Sequence, residues 1–221
     1  MTLCDIGNSS VNFLNESKFF TMSFDEFANF QGEGRIFYIN VNEKLTQLLR
    51  QKPNFVNLEP YFDFDTIYQG LGVDRIAACY TIKDGVVVDA GSAITIDVMS
   101  GGIHQGGFIM PGIASYRRAY EDISPRLKCE FNTKISFDAF PQRTKEALSY
   151  GAFKSIYLMI KDTAHNEKVY FTGGYGEFLA TFFERAICDK QLVFRGMKKV
   201  LQENPRLMPS DFTQKFALPK K

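Results

Sequence analysis

The chain has no tryptophan, only two histidines and no long apolar run among its 221 residues. His104 and His165 are too few, and Cys4, Cys79, Cys129 and Cys188 too scattered, to build a zinc site, and no Cys-x-x-Cys pair exists. Cys4 and Cys79 lie in apolar runs and read as buried free thiols. No uninterrupted apolar stretch approaches the ~18 residues that suggest a membrane span. The first residues show no basic segment followed by an apolar one, so no signal peptide is expected. A reducing cytoplasm is the expected setting. A charge excess is absent too. Lys+Arg number 26 against 25 Asp+Glu, leaving +1, which supports neither nucleic-acid nor membrane-surface binding. Only the end, Pro219-Lys220-Lys221, is locally basic, and it reads as a solvated tail.

Several catalytic signatures are missing as well. No Gly-x-x-x-x-Gly-Lys-Ser/Thr occurs, so the chain is not a P-loop enzyme. Gly32-Glu33-Gly34 lacks the third glycine of a dinucleotide fingerprint and opens no βαβ unit. Asp63-Phe64-Asp65-Thr66 is spelled like an aspartyl-phosphate nucleophile motif. It follows Pro60 and Tyr61 instead of an apolar strand, and Ile67 replaces the hydroxyl or valine that motif needs. No Ser/His/Asp triad is visible, and His104, in a turn-rich hairpin, is expected at the surface.

What is present is a core and a repeat. The 45% hydrophobic and 14% aromatic content suffices for a sizeable core and excludes global disorder. One short pattern occurs twice after apolar runs: Asp5-Ile6-Gly7-Asn8-Ser9-Ser10-Val11 and Asp89-Ala90-Gly91-Ser92-Ala93-Ile94-Thr95. Each reads as a strand ending in Asp-x-Gly, a tight turn and a return strand. Around the first, residues 1–4, 11–14 and 18–22 predict a three-strand meander. Ser23 and Glu26 form a capping box for the next helix. Residues 35–41 predict a strand, a helix follows through Leu45, Leu48 and Leu49, and 55–58 predict a buried strand. Asp74 to Tyr80 predicts a helix. After the Asp84-Gly85 turn the order restarts: strands over 86–88, 92–99 and 103–109, then helices opening at Pro111-Gly112 and over 144–160. A strand over 168–171, a helix over 177–186 and a last strand at Leu192-Val193-Phe194 complete the expectation. Three antiparallel strands followed by alternating helices and strands, performed twice, imply an α/β fold made by duplication. The expected halves are 1–83 and 84–221.

The two turns suggest facing carboxylates around a phosphate and its cations. Gly7 lets a backbone approach a ligand. Asn8, Ser9 and Ser10 offer donors, and turn amides can cradle phosphate oxygens. Asp5 fits either a hairpin whose Asp caps its own turn or a Mg²⁺ shared with phosphate. Asp89 could hold a cation, and Ser92 could bond a phosphate. Gly106-Gly107, Pro111-Gly112 and Thr172-Gly173-Gly174 add close-approach loops at strand ends. Gly72-Val73-Asp74-Arg75 is open to two readings: a helix cap with a surface charge, or a base and a guanidinium clamp. Phosphoryl transfer has a loose transition state, so its base mainly orients the hydroxyl and an ordinary Asp suffices.

Together Asp5-x-Gly7-Asn8-Ser9, Gly72-Val73-Asp74-Arg75, Asp89-Ala90-Gly91-Ser92-Ala93-Ile94-Thr95, Gly106-Gly107-Phe108-Ile109-Met110-Pro111-Gly112 and Thr172-Gly173-Gly174 resemble the type III pantothenate kinases. The resemblance covers about residues 1–200. It implies the acetate and sugar kinase/Hsp70/actin-like fold with two ribonuclease-H-like halves, and a homodimer. It implies ATP-dependent phosphorylation of pantothenate, the first step towards coenzyme A, with Mg²⁺ and a monovalent cation (K⁺ or ammonium). By motif, Asp5, Ile6, Gly7, Asn8, Ser9, Ser10, Val11 and Asn12 form the ATP phosphate loop, and Ser92 touches ATP. Asp74 is the proton acceptor. Gly72, Val73, Asp74 and Arg75 bind pantothenate, Arg75 at its carboxylate, and Thr144 bonds it too. Asp89 binds the monovalent cation. The family's tyrosine stands seven residues ahead of the motif glycine; Asp65 occupies that place and Tyr68, closer in, takes the substrate role. Val73 replaces the usual alanine, and Ser92 the usual threonine. Another small-molecule kinase of this fold, or a non-catalytic nucleotide-binding regulator, are the alternatives. The helix around Phe153 and Tyr157 fits a dimer interface or core packing equally well.

Overall fold

In the computed structural model, residues 1–208 are described; the basic stretch ending at Lys221 lies outside them. The chain divides into two units, one comprising Met1–Phe64, Gln69–Thr81 and the chain from Gln191 on, the other Asp65–Tyr68 and Ile82–Lys190.

The first unit opens with the expected meander: Thr2–Ile6 (β1), Val11–Asn15 (β2) and Lys18–Met22 (β3). Ser23 and Glu26 close the capping box of Phe24–Asn29 (α1). That helix leads to Ile36–Asn40 (β4), parallel to β1. Thr46–Arg50 (α2) then returns the chain to Phe55–Asn57 (β5), parallel to β4. The sheet order is β3-β2-β1-β4-β5. Its core is aromatic: Phe13 stacks on Phe20 with centroids 5.0 Å apart and meets Phe30 edge-on at 5.1 Å. A fully buried Phe contributes about 1.5–3 kcal/mol. Lys52 is buried beneath this cluster. Its Nζ donates to the carbonyls of Ala28 and Phe30 at the end of α1 and lies 5.3 Å from the Phe27 ring. Burial pushes its ammonium pKa down.

Two helices complete this unit, Val73–Cys79 (α3) and, far along the chain, Leu192–Glu203 (α7). The Leu192-Val193-Phe194 strand expectation is corrected here. The apolar positions 192, 193, 196, 197, 200 and 201 are all buried along one helical stripe. The expectation that 84–221 forms one half is corrected at the same place, because α7 packs with the first unit. A Cβ on Gly196 would fall 2.0 Å from the Ala77 carbonyl oxygen, so backbone meets backbone between α7 and α3. Tyr80 Oη donates to Glu203 at 2.6 Å and fastens the far end.

The second unit repeats the plan. Gly85–Ala90 (β6), Ala93–Ser100 (β7) and Ile103–Pro111 (β8) form an antiparallel meander. Ile113–Ile123 (α4) and Thr144–Ala164 (α5) precede Val169–Thr172 (β9), parallel to β6. Gly176–Ala180 (α6) leads to Ala186–Cys188 (β10), parallel to β9. The helix expected over 177–186 is thus shorter, and the last strand is this three-residue edge. The sheet order, β10-β9-β6-β7-β8, is the first sheet's order with each strand replaced by its counterpart. Phe153 on α5 is buried in this core, 4.8 Å from the Phe178 ring. Among the described residues no helix is long and apolar enough to cross a membrane.

Candidate active site

Each Asp-x-Gly aspartate is the penultimate residue of a strand. Asp5 pairs with Asn12 across β1 and β2, and Asp89 pairs with Thr95 across β6 and β7. Their parallel neighbours also correspond: Ile39 beside Asp5, Thr172 beside Asp89.

In the first unit, Gly7 N donates to Ser10 O at 3.1 Å and closes the turn. Asn8 and Ser9 are exposed, and Ile6 and Val11 are buried on either side. A Cβ on Gly7 would meet only Ser10 O, at an ordinary 3.6 Å. The chain itself therefore does not demand glycine there. Asn42, nearly buried, donates from Nδ2 to Gly7 O at 3.4 Å and braces the turn from behind. Its signal in the sequence was the Asn40-Val41-Asn42 run after an apolar strand.

Asp5 and Asp74 come together in this unit. The carboxyl of Asp5 is pushed up to about 7, first by burial and then by the negative charge of Asp74, against a lowering bond from Asn12 Nδ2. Asp74 sits at the start of α3, where its Oδ1 accepts the Arg75 amide at 2.8 Å. At Gly72, the helix cap, a Cβ would lie 2.6 Å from Asp74 Oδ1, so a side chain there would displace the carboxylate. Val73 points into the core at 3% exposure, so its difference from alanine is a packing matter. Arg75 is buried.

A pair of carboxylates is a donor set that Mg²⁺ can share with phosphate oxygens and water. Among the described residues, no group of three or more His, Cys, Asp or Glu side chains is placed to hold a metal.

In the second unit, three loops close around Asp89. Gly173, at φ +79°, leaves no room for a Cβ, which would sit 2.3 Å from Asp89 Oδ1. A Cβ on Gly112 would lie 2.3 Å from Ser92 O and 2.7 Å from Gly91 O. Tyr175 N donates to Ala90 O at 3.0 Å. The glycines of the third, fourth and fifth motifs are therefore one packed structure. Gly106 is different. Its φ of +123° belongs to a β-bulge, and no atom crowds it. Ser92 is exposed at the turn, Thr144 is exposed as the first residue of α5, and Tyr68 lies in the short 65–68 segment of this unit.

His104 corrects the expectation of a surface residue. It is 1% exposed, and Nε2 meets Asp97 Oδ1 at 2.8 Å while Nδ1 meets Thr66 Oγ1 at 2.7 Å. The sequence held no direct sign of this trio.

Comparison with known proteins gives the same direction. Residues 39–166 match the family model for type III pantothenate kinase. A type III pantothenate kinase of Campylobacter jejuni (strain NCTC 11168) is 67% identical, covering 94% of this chain and 100% of its own. One from Helicobacter pylori (strain 26695) is 39% identical and covers 92% of each. A solved structure from Campylobacter jejuni, named for the Baf family of transcriptional activators, has a TM-score of 0.88 at 64% identity, covering 93% of this chain and 100% of that one. A Sinorhizobium meliloti structure named for 2-dehydro-3-deoxygalactonokinase has a TM-score of 0.56 at 9% identity, over 96% and 99%; at that identity the likeness is one of fold. The fold is the actin-like ATPase fold with two similar halves, and the chain belongs to the type III pantothenate kinase family.

Proposed function

We propose that this protein transfers the γ-phosphoryl group of ATP to the primary hydroxyl of pantothenate, giving 4'-phosphopantothenate, the first step of coenzyme A biosynthesis in the cytoplasm. Family membership carries the proposal. The Asp5–Asp74 pair supports it, because two carboxylates whose like charges raise each other's proton affinity are costly unless a ligand or cation offsets them.

Asp74 is the proton acceptor: anchored by the Arg75 amide, its carboxylate orients the attacking hydroxyl and takes the proton as the new O–P bond forms and the γ-phosphorus bond to the leaving ADP breaks. Arg75 binds the pantothenate carboxylate, with Gly72, Val73, Tyr68 and Thr144 completing the substrate set. The 5–12 turn, with Asn8, Ser9 and Ser10 as donors, holds the ATP phosphates, and Ser92 contacts ATP. Asp5 would hold Mg²⁺ together with the ATP phosphates, and the ion would supply positive charge to offset theirs. Neither turn contains Lys or Arg, so a monovalent cation at Asp89 supplies positive charge in the second unit.

The protein acts as a homodimer. Leu158 and Met159 on α5 and Ile123 on α4 are exposed apolar side chains of the second unit and fit that role. Leu158→Glu is expected to turn the dimer into a monomer by light scattering. A second reading, a nucleotide-binding regulator, draws only on the name of the Campylobacter jejuni structure, and the intact carboxylate pair favours catalysis. An ADP-coupled assay decides. Turnover is expected only with pantothenate, Mg²⁺ and K⁺ together, and folded protein that binds ATP without turnover would favour the regulator.

A further inference from the structure

The phosphoryl chemistry uses neither Asp97 nor His104, yet both are about 1% exposed in the core of the second unit. Buried polar groups of this kind are retained when their bonds fix something. Here the bonds lead outward to one short segment. Thr66 Oγ1 accepts the Tyr68 amide at 3.0 Å and hydrogen-bonds His104 Nδ1 at 2.7 Å. On the other side of the ring, Nε2 hydrogen-bonds Asp97 Oδ1 at 2.8 Å. His104 N also donates to Asp65 O at 3.0 Å, and Thr66 and His104 form an isolated parallel bridge.

The Tyr68 ring itself lies 6.2 Å from the His104 ring, centroid to centroid. Ile67, between Thr66 and Tyr68, is 87% exposed. Residues 65–68 are thus tied to His104 through both its backbone and its ring.

The imidazole itself is placed by the bulge. Val98 pairs with Gly106, but Met99 pairs with His104, so Gln105 is the extra residue. In a regular hairpin, His104 would face Ser100 and point away from Asp97. The bulge moves it opposite Met99, on the same face as Asp97. A deformation that turns a histidine inward onto a carboxylate, and then bonds it to a segment that ends in Tyr68, reads as a built support. The same side-chain types serve acyl-transfer enzymes. A fully buried imidazole, and a hydroxyl already bound to the adjacent amide, suit holding rather than attack.

We propose that the Asp97–His104–Thr66 chain is a positioning device that fixes Tyr68 for recognition of the acceptor substrate. This rests on the assignment of Tyr68 to pantothenate, and it adds Thr66, His104 and Asp97 as residues that act through it.

The test is steady-state kinetics with pantothenate and ATP varied separately. Tyr68→Ala is expected to raise KM for pantothenate. Thr66→Val, which removes the hydroxyl at nearly constant volume, is expected to raise that KM about tenfold, leaving KM for ATP unchanged, because a small misplacement of a substrate-positioning group is costly. Thr66→Ser, which keeps the hydroxyl, should behave as the natural protein. The double variant Tyr68→Ala/Thr66→Val should be no worse than Tyr68→Ala alone. If Thr66→Val does not fold, Thr66→Ala, which demands less space, should give the same pattern. An unchanged pantothenate KM in the Thr66 variant, a parallel rise for ATP, or full additivity would overturn the positioning role even if Tyr68→Ala acts as expected. An unchanged KM in Tyr68→Ala itself would remove the tyrosine assignment, and the positioning proposal with it.

Discussion

Asp5→Asn should make the ligand-free protein more stable and the enzyme inactive. In the folded chain the Asp5 carboxyl is pushed up to about 7 from an ordinary 3.8, by burial first and by Asp74 second. The native state therefore holds this proton more tightly than the unfolded chain does. The resulting stability is full below 3.8 and is lost as pH rises through about 7. The gap, at about 1.36 kcal/mol per pH unit, sets an upper size of about 4 kcal/mol at pH 8. Asp5 keeps some solvent exposure, so about 1–4 kcal/mol is the working range. Asparagine cannot ionise, and its amide can still pair with Asn12. Thermal melting of natural protein and variant, followed from pH 4.5 to 8 without nucleotide, reads the effect. For a chain of this size about 1 kcal/mol corresponds to about 2–4 °C. The variant's melting advantage should grow across that interval, while its turnover falls by orders of magnitude. A constant offset between the two curves would refute the coupled-carboxylate reasoning.

Three further outcomes follow from named contacts. Asp74→Asn should lower turnover by orders of magnitude while nucleotide binding persists, and it should bring the Asp5 carboxyl down towards its ordinary value, since one of the two raising causes is gone; carbon NMR titration of the Asp5 carboxyl reads this directly. Gly173→Ala places a Cβ 2.3 Å from Asp89 Oδ1 at a φ that disfavours alanine, so the K⁺ concentration for half-maximal activation should rise, as measured by titrating K⁺ at saturating substrates. Gly196→Ala drives a Cβ to 2.0 Å from Ala77 O, forcing α7 off α3 at a cost of about 1–3 kcal/mol; calorimetry should show the lower melting temperature.

The duplicated plan was legible because both of its signals are local. Short apolar runs separated by Asn15-Glu16-Ser17 and Ser100-Gly101-Gly102 turns announce hairpins, and Ser23 with Glu26 announces a helix start, all of which the structure contains. The Asp5 and Gly72-Val73-Asp74-Arg75 motifs were legible in identity but not in reason. Gly7, expected to be glycine so that a ligand can approach the backbone, meets no obstacle from the chain, whereas a Cβ on Gly72 or Gly173 would fall on the carboxylate of Asp74 or Asp89.

What the sequence hid depends on tertiary partners. Leu192-Val193-Phe194 has the β-branched and aromatic character of a strand, and only the continuation through Gly196, Met197, Val200 and Leu201 shows the helical stripe that packs on α3. Ala186–Cys188 was missed because a three-residue edge strand is defined by its parallel neighbour, not by its own pattern. His104 is the deepest case. Period-two reasoning assumes an unbroken hairpin, and one extra residue at Gln105 reverses which face every residue before it in β8 occupies. A glycine at φ +123° carries that reversal, and in the sequence it is spelled the same as the glycines that crowd Asp89. Function and architecture therefore draw on one residue type for opposite purposes. Gly112 and Gly173 remove atoms so that loops can close on a carboxylate, and Gly106 supplies a backbone conformation that sends a histidine into the core.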